Sequence, residues 1–288
     1  MERYDLIIIG GGVGGLVTAS GAAQLGARVA LIEKASLGGD CLHYGCVPTK
    51  RLVRSAKVAH IMRHAGDFGL TGTSLTVNFS KVMQGMRQIQ EIIGRHDDPE
   101  RFRKMGVNVI FGQGRFIDSH TFEINGEKLY GKNFLIATGS RPAIPDILGI
   151  KDVDALTNES VLQIESLPET IAILGAGPIG IEYAQVFSRL GAKVIVIEKM
   201  GQILPREDKE VSLDLKKILQ EEGIEIHTCT DVKGVSKDGS KKVLQVSCSE
   251  GESKFVVDEI MLSIGRAPNA EGLGLNAAGV QYNNKGIP

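Results

Sequence analysis

Length, composition and charge already limit what this chain can be. It has 288 residues, which at about 150 residues per domain predicts two domains. Its 33 basic and 34 acidic residues leave a net charge of -1, and no basic cluster stands ready to neutralise several phosphates, so no nucleic acid partner is expected. No apolar run approaches the roughly 18 residues of a membrane span, and no secretory signal is recognisable. The sequence therefore predicts a cytoplasmic protein that does not bind membranes.

Glycine is more frequent than usual: 36 of the 288 residues, or 12.5%, are glycine, against about 7% on average. Part of this excess lies in an internal repeat, since residues 8–34 and 173–199 share one pattern at a constant offset of 165 positions (173 − 8). Each copy predicts an apolar strand, a Gly-x-Gly-x-x-Gly turn, a helix that ends at glycine, and a second strand that ends in glutamate. The turn glycines and terminal acids are Gly10, Gly12, Gly15 and Glu33 in the first copy, and Gly175, Gly177, Gly180 and Glu198 in the second.

This pattern is the dinucleotide-binding fingerprint in its required context. Its glycines permit the tight turn, the approach of a pyrophosphate and close packing of helix on strand, while amides at the helix N-terminus face the phosphates. The terminal acid can accept a hydrogen bond from a ribose 2′-hydroxyl. Two copies in register predict two dinucleotide sites on one chain, and hence electron transfer between two different dinucleotides.

The remaining elements follow from periodicity and punctuation. Helical patterns cover residues 46–64 and 78–104. Strand patterns cover residues 107–111, 121–124, 133–137, 225–228, 242–247 and 259–263. Glycine and proline residues after position 138 indicate a domain boundary near Gly149.

A cysteine pair, Cys41 and Cys46, stands in a glycine-flanked segment. On an ideal helix, residues five apart have Cα atoms roughly 8.7 Å apart, beyond the ~7 Å limit for a disulfide. A disulfide therefore requires a distorted turn, which Gly45 can supply, and it would close a small, easily reduced ring. Lys50 lies one helical turn after Cys46, where its charge would favour a thiolate. The pair predicts redox chemistry.

No metal site is predicted. Structural zinc usually takes two Cys or His pairs at short spacing, and only one longer-spaced pair is present. His60 and His64 are four apart on a helical pattern, but a solvated helix face explains them better. Cys229 and Cys248 each lie in an apparent strand and are expected to be buried thiols without a chemical role.

Several motifs together resemble one family. They are residues 38–50 (Gly-Gly-Asp-Cys-Leu-His-Tyr-Gly-Cys-Val-Pro-Thr-Lys), residues 137–142, the second fingerprint with Glu182 behind it, and residues 263–269. In this order they resemble the class-I pyridine nucleotide-disulfide oxidoreductases, flavoproteins that include dihydrolipoamide dehydrogenase, glutathione reductase and mercuric reductase. The resemblance covers the whole chain.

The resemblance implies an α/β fold with two Rossmann-like domains, each of three layers around a parallel central sheet. Residues 1–148 would form the FAD-binding domain and residues 149–268 the NAD(P)-binding domain. Residues 269–288 would begin a return to the FAD domain.

The resemblance also implies the cofactors and the roles of the site residues. Hydride would pass from NAD(P)H to FAD and on to the Cys41–Cys46 disulfide. Cys46 would face the flavin as the charge-transfer thiolate, Cys41 would exchange with substrate, and Lys50, paired with Glu182, would lie near the flavin N5. The implied cofactor-binding residues are Gly10, Gly12, Gly15, Glu33, Lys34, Gly39, Gly114, Ala137, Thr138, Gly139, Gly175, Gly177, Gly180, Glu198 and Gly265.

Two residues bear on how the nucleotides bind. NADH is predicted over NADPH, because Glu198 would repel a 2′-phosphate. Asp40 stands where the family often has threonine, and a carboxylate beside a pyrophosphate would repel it.

Family members continue with a segment that holds the flavin ribityl chain and with an interface domain. That domain carries a His-Glu acid-base pair and most of the dimer contact. The sequence is therefore expected to be an inactive fragment of a longer homodimeric enzyme, itself monomeric or weakly associated.

The substrate and two other functions stay open. A small-molecule or protein-bound disulfide or dithiol, or a metal ion as in mercuric reductase, would fit the dithiol. A thiol-independent NADH oxidase or flavin reductase would keep its activity without the cysteines, and a non-catalytic nucleotide-binding module would hold no flavin.

Overall fold

The computed structural model describes residues 1–71 and 75–288, which divide into two compact units. The first unit comprises residues 1–47, 88–141 and 266–288, and the second comprises residues 48–87 and 142–265. The predicted nucleotide-binding domains, residues 1–148 and 149–268, divide the chain at other positions. Which nucleotide each domain holds stays a prediction.

In the described residues, helices and strands alternate along much of the chain. The helices are α1 (Val13–Gln24), α2 (Gly39–His43), α3 (Cys46–Arg63), α4 (Phe79–Gly94), α5 (Pro99–Lys104), α6 (Pro178–Leu190) and α7 (Lys209–Glu221). The strands are β1 (Glu2–Ile9), β2 (Val29–Glu33), β3 (Val107–Phe111), β4 (Gly114–Phe116), β5 (Thr121–Ile124), β6 (Glu127–Ile136), β7 (Ser140–Pro142), β8 (Thr170–Leu174), β9 (Lys193–Ile197), β10 (Glu225–His227), β11 (Asp231–Asp238), β12 (Lys241–Cys248), β13 (Gly251–Val257), β14 (Glu259–Leu262) and β15 (Arg266–Pro268).

The first unit is built on a six-stranded sheet of order β3-β2-β1-β6-β5-β4, in which the first four strands are parallel and the last two antiparallel. Side chains alternate between the faces of a strand, so β1 serves two cores. Ile8 packs on one face with Leu16 of α1. Ile7 and Ile9 pack on the other face with Phe122 of β5. Helix α1 therefore packs on one face of the sheet, and the antiparallel strands of the same sheet contribute to the core on the other face.

The second unit repeats this arrangement with a four-stranded parallel sheet of order β10-β9-β8-β14 and a three-stranded antiparallel sheet, β11-β12-β13. Ile171 and Ile173 of β8 pack with Tyr183 of α6 on one face. Leu174 packs with Leu244 of β12 on the other. The predicted α/β class with parallel central sheets is confirmed.

The predicted strands at 107–111 and 121–124 correspond to β3 and β5 residue for residue. Strands β4, β7, β11, β13 and β15 were not predicted. β13 is mostly exposed and its sequence, Gly-Glu-Ser-Lys-Phe-Val-Val, lacks an alternating apolar pattern. It pairs only with β12 in its sheet, and an edge strand of this kind gives a weak sequence signal.

The single helix predicted over residues 78–104 was wrong. The chain forms α4, a short 3-10 turn and α5 instead, with Asp98 extended at φ -60° and ψ 126°. Pro99 disfavours helical geometry at the residue before it, and it suits the first position of a new helix. The Asp98 carboxylate accepts a hydrogen bond from the Glu100 amide at 2.8 Å and so caps α5.

The prediction of buried thiols at Cys229 and Cys248 was also wrong. Both cysteines are exposed. Cys229 lies between β10 and β11 with φ +54°, and Cys248 is the last residue of β12. Each follows or ends a strand, so neither side chain is covered by a neighbouring element.

The helix of each βαβ unit packs on its strand through glycine. A Cβ atom at Gly15 would lie 1.9 Å from the Gly10 carbonyl oxygen, and one at Gly180 would lie 2.1 Å from the Gly175 carbonyl oxygen. Any side chain there would push the helix away from the turn.

Adjacent glycines of α1 provide a matched test. Gly15→Ala should lower the free energy of unfolding by about 1 to 3 kcal/mol, because the methyl group overlaps backbone. Gly14→Ala, whose Cβ would meet no atom within 4 Å, should raise it by about 0.5 to 1 kcal/mol through helix propensity. Urea unfolding followed by circular dichroism measures both. Equal effects of the two substitutions would contradict the packing argument.

Candidate active site

The first fingerprint turn is fixed by its terminal glutamate. The Glu33 carboxylate accepts hydrogen bonds from the Gly11 amide at 2.7 Å and the Ala35 amide at 2.8 Å. Gly10 has φ +110°, and a Cβ atom there would lie 2.3 Å from the Ala137 carbonyl oxygen. Gly12 begins α1 without a side-chain cap, and the first turn of α1 holds no acidic residue. The turn thus presents helix N-terminal amides and backbone that only glycine permits.

The second turn reproduces this geometry. The Glu198 carboxylate accepts hydrogen bonds from the Ala176 and Met200 amides, each at 2.8 Å. These donors lie 165 positions after Gly11 and Ala35, the offset of the sequence repeat (176 − 11 and 200 − 35). Each carboxylate oxygen has a lone pair left for a ribose hydroxyl.

Both turns fit a dinucleotide at their middle glycine. A Cβ atom at Gly177 would meet no protein atom within 4 Å, and one at Gly12 would meet only the Gly39 Cα atom, at 3.7 Å. At each position there is open space beside backbone amides of a helix N-terminus. Such space accommodates the diphosphate of FAD or NAD(P)H.

The predicted cysteines lie on two successive helices. Cys41 is on α2, which ends before Tyr44 at φ -135°, and Cys46 begins α3. The predicted break in the helix is confirmed. Glycine suits position 45, since a Cβ atom there would make a tight contact of 3.1 Å with the Asp40 carbonyl oxygen.

Two side chains that were not predicted hold the end of α2. The Gln90 amide donates to the carbonyl oxygens of Leu42 at 3.1 Å and His43 at 2.9 Å. The His43 ring donates to the Leu37 carbonyl oxygen at 2.8 Å. Gln90 is 47 residues from His43 in sequence, so no local pattern indicated it.

The two thiols interact directly. The hydrogen bond to Cys46 raises the pKa of Cys41 to about 11, and burial and the negative charges of Cys46 and Asp40 act in the same direction. Cys41 is half-buried, whereas Cys46 is exposed. At neutral pH Cys41 therefore keeps its proton.

Lys50 and Glu182 form an ion pair in the second unit. The Lys50 Nζ atom lies 2.5 Å from the Glu182 Oε1 atom, although the residues are 132 positions apart. The structure brings these two predicted residues together. Their place beside a flavin stays a prediction.

The predicted segment 137–139 follows β6 and is bonded to Asn269. The Thr138 hydroxyl donates to the Asn269 carbonyl oxygen at 2.7 Å, and the Asn269 side-chain amide donates to the Thr138 carbonyl oxygen at 2.9 Å. The Asn269 backbone amide donates to the carbonyl oxygen of Gly139 at 3.0 Å. Gly139 has φ +66°. The Ala137 amide donates to the carbonyl oxygen of Ile9, the residue before Gly10, at 2.8 Å. Together these bonds fix the segment beside Gly10.

Three other predicted cofactor residues have different surroundings. Lys34 is exposed after β2. A Cβ atom at Gly114 would lie 2.3 Å from the Phe122 ring, so strand packing accounts for this glycine. Gly265 has φ +142° and accepts a hydrogen bond from the Ala143 amide at 3.0 Å. A cofactor contact of any of them stays a prediction.

Asp40 has a partner that the sequence did not indicate. The Arg266 guanidinium donates from Nη2 to the Asp40 Oδ1 atom at 2.9 Å. It also donates from Nε to the Ser140 hydroxyl and from Nη2 to the Ser140 carbonyl oxygen, both at 2.7 Å. The residues are 226 positions apart, a separation at which sequence alone gives no pairing signal.

Within residues 1–71 and 75–288, no group of three or more His, Cys, Asp or Glu residues could hold a metal ion. Nor does a helix there combine the length and apolar character needed to cross a bilayer.

The fold agrees with the comparison to known proteins. The pyridine nucleotide-disulphide oxidoreductase family matches residues 4–288, and the chain belongs to that family. It is 36% identical over 297 residues to a dihydrolipoyl dehydrogenase of Bacillus subtilis, which covers 98% of this chain and 62% of the relative. It is 31% identical over 280 residues to a mercuric reductase of Lysinibacillus sphaericus, with coverage of 97% and 51%.

A solved structure is similar throughout. The Cu(II) complex of the HOCl-induced flavoprotein disulfide reductase RclA from Escherichia coli aligns with a TM-score of 0.85 and 28% identity over 99% of this chain and 62% of that one. The chain thus spans between half and two thirds of the length of these three proteins.

The raised pKa of Cys41 predicts a measurable reactivity. Cys46→Ala removes the hydrogen bond and the charge, so the pKa of Cys41 should fall from about 11 toward its ordinary 9.0. Burial and Asp40 still raise the pKa in the variant, so these changes are upper limits: at pH 8 the thiolate fraction would rise by up to about a hundredfold and its nucleophilicity would fall by up to about tenfold. Alkylation by iodoacetamide should therefore be faster, by up to about tenfold. Mass spectrometry of the Cys41 peptide measures the rate. Cys248→Ala is the control, and an unchanged rate in Cys46→Ala would contradict the assignment.

Proposed function

We propose that the protein carrying this chain is a flavin-dependent disulfide oxidoreductase that uses NAD(P)H and the Cys41–Cys46 pair. One observation carries the proposal: the two thiols are hydrogen-bonded on a segment that packs against a dinucleotide-binding turn. Gly39 precedes Cys41 by two residues, and a Cβ atom at Gly39 would lie 2.6 Å from the Gly12 Cα atom. A redox-active pair is therefore held beside the place for a nucleotide diphosphate.

FAD would bind at the first turn and NAD(P)H at the second. Gly12 and the α1 amides would receive the FAD diphosphate, and Glu33 the adenosine ribose. When bound, the flavin supplies two-electron chemistry that connects the nicotinamide to the disulfide. The other cofactor-binding residues that the family resemblance implies would contact FAD or NAD(P)H.

Cys41 and Cys46 would divide the thiol chemistry. By the family resemblance, Cys46 would be the charge-transfer thiolate that faces the flavin, and Cys41 would be the thiol that exchanges with substrate. The hydrogen bond with Cys46 that raises the pKa of Cys41 is compatible with this division. The Lys50–Glu182 ion pair would place a positive charge near the flavin.

The substrate would be a disulfide or dithiol, or a thiol-binding metal ion. Relatives named dihydrolipoyl dehydrogenase and mercuric reductase support both classes. The relatives are longer than the region that matches this chain. We propose that turnover and homodimer formation also need a segment that corresponds to the rest of their length. A cytoplasmic location fits this chemistry, because the cytosol keeps thiols reduced.

The role of Cys46 can be tested in the flavin-loaded protein. Dithionite titration should produce a long-wavelength thiolate-to-flavin absorption band after two electrons, and Cys46→Ser should abolish it. Cys248→Ser, at an exposed cysteine of the second unit, should retain it. A band that persists in Cys46→Ser would refute the assignment, and cysteine-independent NADH oxidation would favour a thiol-independent oxidase instead.

NADH should be preferred over NADPH. The buried Glu198 carboxylate is fixed by two amides and would oppose a 2′-phosphate, so flavin reduction by NADH should be faster by about tenfold or more at equal concentration. Stopped-flow absorbance with each coenzyme measures the ratio. Glu198→Gln should bring the rates of flavin reduction by NADH and NADPH closer together. Glu33→Gln, its counterpart in the first turn, should leave their ratio unchanged. Faster reduction by NADPH would overturn the prediction.

A further inference from the structure

The Asp40 carboxylate stands where an anionic cofactor group is expected. It follows Gly39, whose backbone packs on Gly12, and the Gly38 amide donates to the Gly11 carbonyl oxygen at 2.9 Å. Two contacts therefore hold this segment against the fingerprint turn. A diphosphate at the turn would meet a second negative charge, which costs binding energy unless a cation offsets it.

Arg266 supplies that cation. Its Nη2 atom lies 2.9 Å from the Asp40 carboxylate, and its side chain is 26% exposed. Two further bonds, from Nε and Nη2 to Ser140, hold the guanidinium independently of Asp40. Replacing Asp40 would therefore remove one charge and leave the other in place.

The guanidinium also has unused capacity. It has five N–H donors, and the bonds to Ser140 and Asp40 occupy the one on Nε and the two on Nη2. The two donors on Nη1 make none of the hydrogen bonds found among the described residues. Arg266 is thus a partly shielded, oriented cation next to a turn that binds phosphate.

We propose that Arg266 is a determinant of FAD affinity that acts by neutralising Asp40 beside the cofactor diphosphate. The inference rests on the proposed FAD site at the first turn. It explains how this chain carries aspartate at position 40 without losing the cofactor. The net charge of the pair, rather than either residue alone, sets the affinity.

Three variants separate the charge states of the pair. The wild type has net charge zero, Asp40→Asn has +1, Arg266→Gln has -1, and the double variant has zero. FAD dissociation constants are measured on the apoprotein by quenching of FAD fluorescence. Arg266→Gln should weaken binding by about tenfold or more, and Asp40→Asn should tighten it about threefold to tenfold. The double variant should return to within about threefold of the wild type.

Salt and a control variant complete the test. The effects of both single substitutions should shrink between about 0.05 and 0.5 M salt, because the charges are partly exposed. Arg115→Gln, which breaks the Arg115–Glu123 pair of the same unit at 3.2 Å, should leave FAD affinity unchanged.

The outcomes are distinct. The proposal is supported if FAD affinity is highest in Asp40→Asn, equal in the wild type and the double variant, and lowest in Arg266→Gln. Wild-type affinity in Arg266→Gln, or a loss that Asp40→Asn does not restore, overturns it. Should Arg266→Gln not fold, the near-isosteric Asp40→Asn decides alone, and unchanged or weaker binding overturns the proposal. A wild-type protein that binds no FAD contradicts the proposed function itself.

Discussion

Backbone contact at the fingerprint glycines is the constraint on which the rest of this structure depends. Gly15 brings α1 against the Gly10 carbonyl oxygen, and Gly180 brings α6 against that of Gly175. Each contact places a helix N-terminus at the carboxyl end of a parallel sheet, the position where α/β proteins bind ligands. Without it, neither helix could present its amides to a nucleotide.

The dithiol segment depends on the same turn. Its glycines at 38 and 39 pack on the turn, so α2 starts beside the proposed diphosphate position. The helix is interrupted at Tyr44, and Cys41 and Cys46 come into hydrogen-bonding contact. The proposed nucleotide position and the position of the thiols therefore depend on one set of backbone contacts.

Charge within each unit is balanced by partners far away in sequence. Asp40 is paired with Arg266, and Lys50 with Glu182. A functional segment can carry an unfavourable charge when the fold brings a counter-charge to it. This is why a departure from the family pattern at position 40 is compatible with the fold and, as we propose, with FAD.

The sequence alone determined the α/β class, the two fingerprints and the family, because these rest on local spacing that backbone geometry translates directly into turns and helices. It did not determine the break at Asp98, the exposure of Cys229 and Cys248, or the contacts of Gln90 and Arg266. Pro99 can end a helix or begin one, so the sequence pattern was ambiguous at the break at Asp98. Exposure and long-range pairing depend on which surfaces meet after folding. Only the tertiary structure decided them, since residues 226 positions apart carry no local signal of their contact.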